Sequence, residues 1–225
     1  GQFVNVWLPG VNERPMSVAF DDGKQLTLAI AAVGDTTKKI AKLKVGDKLG
    51  IRGPYGTNYS YKPAQHVVMV SGGYGVAPLY FCSYNAAKDG CKIEFILGAR
   101  SKENLVLLDR VKKLKNTKVH IATNDGSVGY KGYNTDILVK MLKEKKKIDL
   151  IMTCGPEVMM KKVSDLAWKY GIPCQVSVER YMKCGFGICG NCCVDDLGIT
   201  TCRKGPVMDN AVVRKIKEFG VYHRD

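Results

Sequence analysis

The sequence predicts an α/β plus all-β chain, with a β-rich start, a doubly wound parallel-sheet domain and a small cysteine-rich end. Residues 26–30 alternate large apolar residues with small or polar ones, which is the period of a half-buried strand. From residue 63, near-continuous apolar runs alternate with amphipathic segments, as in parallel strands covered by helices on both faces. From residue 179 this alternation stops and a cysteine-rich run begins. We therefore expect three parts, spanning residues 1–62, 63–178 and 179–225.

The first part is predicted to consist of short strands and one helix. Strands are expected at residues 3–8, 16–20, 26–30 and 48–52, and the last leads into a turn at Gly53-Pro-Tyr-Gly56. Residues 35–43 begin with polar residues and predict one short helix. Because the sequence opens almost directly on a strand, we expect the natural protein to contain further N-terminal residues.

The second part is predicted to form the parallel sheet. Strands are expected at residues 66–71, 92–98, 118–123, 148–154 and 174–178, with helices at 77–88, 103–114, 134–145 and 156–170. In such a sheet, ligands bind outside the carboxyl ends of the strands. Those ends carry Gly72-Gly-Tyr-Gly-Val-Ala-Pro78, Gly98-Ala-Arg100, Asn124-Asp-Gly-Ser127 and Cys154-Gly-Pro156. A nucleotide site is expected at this edge.

The glycine run after the first of these strands lacks the last glycine of the usual dinucleotide fingerprint. As a bare pattern it is therefore also compatible with an ordinary strand–turn–helix connection. Its position favours an anion site, because it follows a buried strand and opens a helix, where backbone N–H groups face an anion.

The third part contains Cys184-Gly-Phe-Gly-Ile-Cys-Gly-Asn-Cys192, followed by Cys202. This C-x4-C-x2-C run with a fourth, more distant cysteine matches the ligand pattern of a plant-type [2Fe–2S] cluster. The intervening glycines permit positive φ angles and a close approach of backbone N–H groups to sulfur. A zinc site and uncommitted thiols are the alternatives, although structural zinc sites favour two separated cysteine pairs. Cys193 is not expected to be a ligand, because a loop cannot easily direct adjacent side chains at one iron.

Two further elements are predicted in the third part, a strand at residues 199–203 and a terminal helix at 211–219. Three further cysteines lie in helix or strand patterns of the second part, where they are expected to be core residues: Cys82, Cys91 and Cys174.

Composition narrows the class of protein. The 225 residues carry a formal net charge of +14, which raises the question of nucleic-acid binding. The excess lies mostly on lysines interleaved with Leu and Val in helical segments, and no aromatic residues for base stacking cluster with it. The sequence contains no apolar run of membrane-spanning length and no charged-then-apolar leader. We expect a cytoplasmic protein that binds neither nucleic acid nor membranes, with its nine cysteines as thiols or metal ligands.

The motif Arg14-Pro-Met-Ser17 combines a guanidinium with a hydroxyl on a predicted strand. An arginine can hold a pyrophosphate bidentately while a serine contacts the polar edge of a planar ring. Taken alone the motif is common, and an ordinary surface arginine is the alternative.

Together and in this order, the motifs resemble the ferredoxin–NADP reductase superfamily and, within it, the electron-transfer subunits of NAD-linked (type B) dihydroorotate dehydrogenases. The resemblance covers nearly the whole chain. It is carried by Gly1-Gln-Phe-Val, Glu13-Arg-Pro-Met-Ser-Val18, Gly53-Pro-Tyr-Gly56, Gly72–Pro78, Asn124-Asp-Gly-Ser127, Cys154-Gly-Pro156 and the cysteine run ending Cys202-Arg-Lys-Gly-Pro206. It implies an antiparallel FAD-binding β-barrel, incomplete at its N-terminus, followed by an NAD-binding α/β domain and a C-terminal [2Fe–2S] module.

The resemblance also implies which residues hold the cofactors. The flavin pyrophosphate and ring edge would be held by Arg14, Pro15, Met16 and Ser17, and the ribityl and diphosphate would lie along Ala31, Ala32, Val33, Thr36 and Thr37. The NAD crevice would be lined by Gly72, Gly73, Gly75, Pro78, Asn124, Asp125 and Gly155, with Cys154 near the nicotinamide. The cluster ligands would be Cys184, Cys189, Cys192 and Cys202.

The function implied is that of an oxidoreductase subunit in pyrimidine biosynthesis. Nicotinamide exchanges a hydride and the cluster single electrons, and FAD can do both. Electrons would come from dihydroorotate through an FMN-containing catalytic subunit, the expected partner in a heterotetramer of two copies of each. One alternative is the small subunit of an NAD(P)-linked ferredoxin or sulfide oxidoreductase or hydrogenase. A zinc-stapled, non-enzymatic binding module is the other.

Overall fold

The computed structural model describes residues 1–144, 146–194 and 197–221. Its first sheet is antiparallel and contains four strands, β1 (Phe3–Leu8), β2 (Asn12–Asp21), β3 (Leu26–Leu28) and β4 (Gly50–Tyr55). They lie in the order β3-β2-β1-β4, and helix α1 (Asp35–Ile40) connects β3 to β4. The turn predicted at residues 53–56 is wrong over its first three residues, since these continue β4, and Tyr55 pairs with Phe3 of β1.

The second sheet contains seven strands and includes the predicted parallel ones. Its strands are β5 (His66–Gly72), β6 (Lys92–Ala99), β7 (Thr117–Thr123), β8 (Tyr130–Lys131), β9 (Leu150–Cys154), β10 (Cys174–Ser177) and the late strand Val207–Asp209. Helices α2 (Val76–Lys88), α3 (Leu108–Lys112), α4 (Asn134–Lys143) and α5 (Glu157–Lys169) connect its parallel strands. The order is Val207–Asp209, then β10-β9-β5-β6-β7-β8.

Alternate residues of β5 enter two different cores, which confirms the doubly wound arrangement. Val67 and Met69 pack with α2 and α3, whereas Val68 and Val70 pack with α4 and α5. A strand buried on both faces must be apolar at nearly every position, as β5 is in sequence.

The helix predicted at residues 103–114 is shorter than expected. A 3-10 turn spans Lys102–Asn104, and α3 begins only at Leu108. Leu105 has an extended backbone and Leu107 a positive φ of 56°, so the apolar run packs on the core before the helix starts. The helix predicted at 134–145 ends as α4 at Lys143, and Lys145 lies outside the described residues.

The C-terminal part adds the hairpin β11 (Cys193–Val194) and β12 (Ile199–Thr200), then α6 (Thr201–Lys204), β13 (Val207–Asp209) and α7 (Asn210–Val213). The strand predicted at 199–203 is therefore wrong beyond Thr200, and the predicted terminal helix is a single turn. Strand β13 pairs antiparallel with β10, so the third part contributes to the second sheet. The boundaries expected after residues 62 and 178 stay a prediction.

The two sheets are joined through an aromatic contact at the end of β2. The Phe20 ring lies 5.5 Å from that of Phe81 and 5.0 Å from that of Tyr84, both on α2. Edge-on aromatic pairs at these distances stabilise beyond the area that they bury. In the described part of the chain, every helix is too short or too polar to cross a membrane.

Replacing Phe95→Ala should destabilise the protein by about 3–5 kcal/mol, because it leaves a cavity at the centre of the second sheet. Phe95 lies on β6 and is fully buried. Urea unfolding monitored by far-ultraviolet circular dichroism measures the change. Val45→Ala, at an exposed loop position, is the control and should shift stability by less than about 0.5 kcal/mol. Equal effects of the two substitutions would contradict the burial of Phe95.

Candidate functional site

The second sheet reverses its strand order at β5. From β5 the chain moves to β6 and β7 on one side, then crosses back to β9 and β10 on the other. Ligands of open parallel sheets bind outside the carboxyl ends of the strands at such a switch point. Here those ends are Gly72 of β5 and Cys154 of β9.

Two of the predicted glycine segments meet at this switch point. A Cβ atom on Gly75 would lie 2.2 Å from the Cys154 carbonyl oxygen, and one on Gly155 would lie 2.8 Å from the Gly72 nitrogen. Gly73 has a φ of +53°, and a Cβ there would have no atom within 4 Å. The two loops therefore pack backbone to backbone, and Gly73 faces open space beside them. Pro78 lies buried in the first turn of α2.

Asn124 and Asp125 follow β7 at the same edge and are exposed. Since β6 lies between β5 and β7, they are about 10 Å from the glycine contact. Asp125 Oδ1 accepts hydrogen bonds from the Ser127 backbone N–H at 2.9 Å and from Ser127 Oγ at 2.7 Å. These bonds lower the pKa of Asp125 and hold its side chain within its own turn.

Cys154 is 2 % exposed, and burial raises the pKa of its thiol to about 12. The thiol therefore stays protonated at neutral pH. Asn134, which the sequence reasoning missed, lies at the same edge. Its Nδ2 donates to the Ser71 carbonyl at 2.8 Å, and a Cβ on Gly98 would clash with its side chain. As the first residue of α4 it carries no motif that would have revealed it.

The residues predicted to hold the flavin ring lie side by side on β2 and are half-buried. Arg14 pairs with Val6 of β1, and its Nη1 donates to the Glu13 carbonyl at 3.0 Å. Met16 packs on the core of the first sheet. Ser17 is paired with Phe3. The remaining member, Pro15, is paired with Asn5.

The other residues predicted along the flavin lie before and within α1. Ala31 is half-buried, Ala32 is exposed and Val33 is 80 % exposed. Thr36 and Thr37 are buried. The Thr37 hydroxyl accepts from the Gly34 N–H and donates to the Gly34 carbonyl, both at 3.0 Å, so it closes the start of α1.

The four predicted cluster ligands form two neighbouring pairs. Cys189 hydrogen-bonds to the Cys184 thiol, and the Cys202 backbone N–H donates to Cys192 Sγ at 3.4 Å. Cys189 is exposed, whereas Cys192 and Cys202 are buried. Among the described residues, no three His, Cys, Asp or Glu side chains are grouped as for a single metal ion. A two-iron cluster takes two protein ligands on each iron, so the two pairs fit it.

The backbone around these thiols also fits an iron–sulfur core. Gly185, Gly187 and Gly190 have φ angles of +88°, +89° and +73°, which confirms the positive φ that the sequence predicts. Backbone hydrogen bonds, first from Cys189 and then from Phe186 and Ile188, lower the pKa of Cys184 to about 6. Such donors stabilise thiolate, the form that binds iron. Burial instead raises the pKa of Cys202 to about 12.

Cys193 behaves as a fifth, separate cysteine. It lies on β11, its backbone pairs with Thr200, and its Sγ is 3.8 Å from the Val194 carbonyl oxygen. Cys82, Cys91 and Cys174 are buried, which confirms them as core residues.

The cysteine loop, residues 183–192, rests on the first sheet. Phe3 of β1 packs in one apolar cluster with Cys192 and Cys202. From β4, Arg52 Nη1 donates to the Cys184 carbonyl at 2.9 Å. Because Phe3 is the cross-strand partner of Ser17, the ring-edge position predicted for the flavin lies one strand away from the buried cysteines.

Arg52 and its partner Glu13 are the main residues that the sequence reasoning missed. Glu13 adjoins the Arg14 motif, yet nothing in the local pattern pairs it with a residue 39 positions later. The only available signal was that each residue borders a predicted motif.

Two family models match the chain. Residues 69–165 match the oxidoreductase NAD-binding domain, and residues 179–214 match the iron–sulfur cluster binding domain of dihydroorotate dehydrogenase B. The ranges contain the switch-point glycines and the four paired cysteines, respectively. The second match supports iron–sulfur rather than zinc at the cysteines.

Whole-chain relatives point the same way. The chain is 50 % identical to the probable dihydroorotate dehydrogenase B (NAD(+)) electron transfer subunit of Methanocaldococcus jannaschii, covering all of this chain and 84 % of that protein. The corresponding protein of Methanothermobacter thermautotrophicus is 38 % identical, with 100 % and 83 % covered. Among solved structures, the chain is similar to an NADH-dependent reduced ferredoxin–NADP oxidoreductase studied for flavin-based electron bifurcation. The two are 30 % identical with a TM-score of 0.87, and the match covers 100 % of this chain and 83 % of the other. The chain thus belongs to the family of electron transfer subunits of NAD-linked dihydroorotate dehydrogenase B.

Proposed function

We propose that this chain passes electrons between an FMN-containing dihydroorotate dehydrogenase subunit and NAD, by way of a [2Fe–2S] cluster and FAD. The observation that carries the proposal is the contact of the cysteine loop with the strands of the first sheet. Arg52 reaches the Cys184 carbonyl, and Phe3 joins the Ser17 position to the buried cysteines. A chain that only bound NAD would have no need to hold Cys184, Cys192 and Cys202 against that sheet.

FAD, when bound, supplies the conversion between a hydride and single electrons. We propose that it is held by Arg14, Pro15, Met16 and Ser17 on β2, and by Ala31, Ala32, Val33, Thr36 and Thr37 around α1. Arg14 offers a planar guanidinium for a diphosphate. Ser17 offers a hydroxyl at the position closest to the cysteines in register.

NAD is proposed to bind at the switch point of the second sheet. Gly72, Gly73, Gly75 and Gly155 allow the two loops to approach closely, which leaves room beside Gly73 for a pyrophosphate. Pro78 fixes the first turn of α2, and Asn124 and Asp125 border the crevice on the side of β7. Cys154 is proposed to form part of the wall near the nicotinamide, where its protonated thiol leaves the hydride position uncharged.

The proposed partner docks at the tip of the cysteine loop. Ile188 is 80 % exposed and directly precedes the exposed Cys189, and Phe186, three residues before Cys189, is 45 % exposed. Exposed apolar residues next to a cluster ligand suit a partner that must come close to the cluster. We propose an assembly of two copies of each subunit, in which acid–base chemistry on dihydroorotate belongs to the partner.

The likeness to the ferredoxin–NADP oxidoreductase structure favours one second candidate, the small subunit of an NAD(P)-linked ferredoxin oxidoreductase. Anaerobic co-purification with candidate partners separates the two. A stable FMN-containing partner, with FAD and about two iron atoms per copy of this chain, supports the proposal. An iron–sulfur-rich large subunit in its place would favour the second candidate.

Cys184→Ser and Cys202→Ser should each remove the cluster, because each takes one thiolate from a proposed ligand pair. Iron, labile sulfide and the visible spectrum of anaerobically purified protein measure the loss, and FAD binding should persist. Cys193→Ser is the matched control and should keep full iron content. Loss of iron in Cys193→Ser alone would mean that Cys193, and neither Cys184 nor Cys202, is a ligand.

Gly73→Ala should weaken NADH binding about tenfold, or roughly 1.4 kcal/mol, because the new methyl group projects into the proposed pyrophosphate space. Gly171→Ala is the matched control: its φ of +66° and empty surroundings resemble those of Gly73, but it follows α5 away from the crevice. Both variants carry similar backbone strain, so a titration of NADH that weakens equally in both would reject the proposed NAD site.

Ile188→Glu should abolish stable assembly with the partner while iron content stays unchanged, because a charge replaces the most exposed apolar residue of the cysteine loop. Analytical size exclusion of the mixed subunits measures assembly. Val45→Glu, a fully exposed position in another loop, serves as the control. Assembly of the Ile188 variant as tight as that of the control would rule out docking at this loop.

A further inference from the structure

Arg52 occupies the junction between the first sheet and the cysteine loop. We propose that it is a positioning residue which, together with Glu13, fixes the loop on the sheet and sets part of the reduction potential of the cluster. The inference rests on the proposed function, since it concerns the cluster that the four cysteines would hold.

The geometry uses all three nitrogens of the guanidinium. Arg52 Nε and Nη2 donate to the two carboxylate oxygens of Glu13, each at 2.6 Å. Nη1 donates to the Cys184 carbonyl and to the Tyr55 hydroxyl, both at 2.9 Å, and Nη2 also reaches the Lys183 carbonyl at 3.2 Å. A planar fork satisfies these acceptors together, which a lysine cannot do.

Neighbouring residues complete the attachment. Asn5, 1 % exposed on β1, donates from Nδ2 to the Lys183 carbonyl at 2.9 Å. A Cβ on Gly185 would lie 2.7 Å from the Tyr55 ring, so the loop lies directly on that ring. The backbone that leads into the first proposed ligand is therefore held from β1 and β4 at once.

The charges of the pair act on the cluster with opposite signs. Arg52 is bonded to the carbonyl of a proposed ligand, and its positive charge there favours the reduced, more negative cluster. Glu13 accepts hydrogen bonds from Nε and Nη2 of the same guanidinium. These bonds lower the pKa of the Glu13 carboxyl group, so Glu13 is negative at neutral pH. Its charge offsets part of the arginine's. The side chains are 38 % and 28 % exposed, so added salt should reduce both contributions.

Glu13 also links the pair to the flavin site, because it directly precedes Arg14 on β2. A single ion pair thus joins the strand proposed to hold the flavin to the loop proposed to hold the cluster. This arrangement keeps the two cofactor sites at a fixed separation.

The test is the midpoint potential of the cluster, measured by redox titration of its electron paramagnetic resonance signal in the anaerobically purified chain with FAD bound. Arg52→Gln should lower the potential and Glu13→Gln should raise it. The double variant should lie between them, and Arg52→Lys, which keeps the charge, should lie closer to the unmodified chain than Arg52→Gln. Arg214→Gln breaks another surface ion pair, with Asp165 at 2.5 Å on α5, and should leave the potential unchanged.

The opposite signs of the two shifts in midpoint potential distinguish a charge effect on the cluster from a merely structural role of the ion pair. A loosened loop would let in water in both glutamine variants and shift both potentials in the same direction, which would overturn the proposal. Loss of iron in Arg52→Gln with retention in Arg52→Lys would support the positioning role, and Glu13→Gln would still report the charge effect. Absence of iron from the unmodified chain would refute the proposed function itself, and a cluster whose potential none of the variants moves would refute only this inference.

Discussion

The carbonyl oxygens of Lys183 and Cys184 are the points at which the cysteine loop is fixed to the four-stranded sheet. Their donors, Asn5 and Arg52, belong to the neighbouring strands β1 and β4. Paired strands move less than loops, so the attachment lends the loop the rigidity of the sheet. The rate of one-electron transfer falls steeply with the distance between donor and acceptor. A loop held in this way keeps a constant distance between its cysteines and the four-stranded sheet.

Strand β2 extends the same constraint to the nucleotide site. Near its start Glu13 pairs with Arg52, and near its end Phe20 packs on α2. Helix α2 begins directly after the switch-point glycines Gly73 and Gly75. One ten-residue strand therefore contacts both Arg52, which holds the cysteine loop, and α2, which borders the proposed NAD crevice. Of the proposed flavin residues, those on β2, Arg14 to Ser17, lie between these two contacts.

The sequence was most informative where the physical signal is local. Apolar runs such as β5 and β9 reveal buried parallel strands, and the spacing from Cys184 to Cys192 together with its glycines reveals the loop geometry. Long-range pairings leave no such trace. Glu13 and Arg52 meet only because β1 pairs with both β2 and β4, placing Glu13 opposite Trp7 and Arg52 opposite Asn5. The three residues of β13 are too few to show a period, and the contacts of the predicted cofactor residues stay predictions.

Strand β13 has a consequence for how the parts of such a chain can be separated. It returns from the cysteine-rich segment to lie along β10, whose other side already pairs with β9. An uncovered β10 would expose a row of unpaired backbone donors and acceptors, a surface on which other chains readily add strands and aggregate. A nucleotide-binding fragment that ends before residue 207 would therefore keep all its parallel strands but leave β10 unpaired on one side. We expect such a fragment to self-associate. With β13 in place, the edge strand on this side of the sheet is only three residues long, and short edge strands are less open to such pairing.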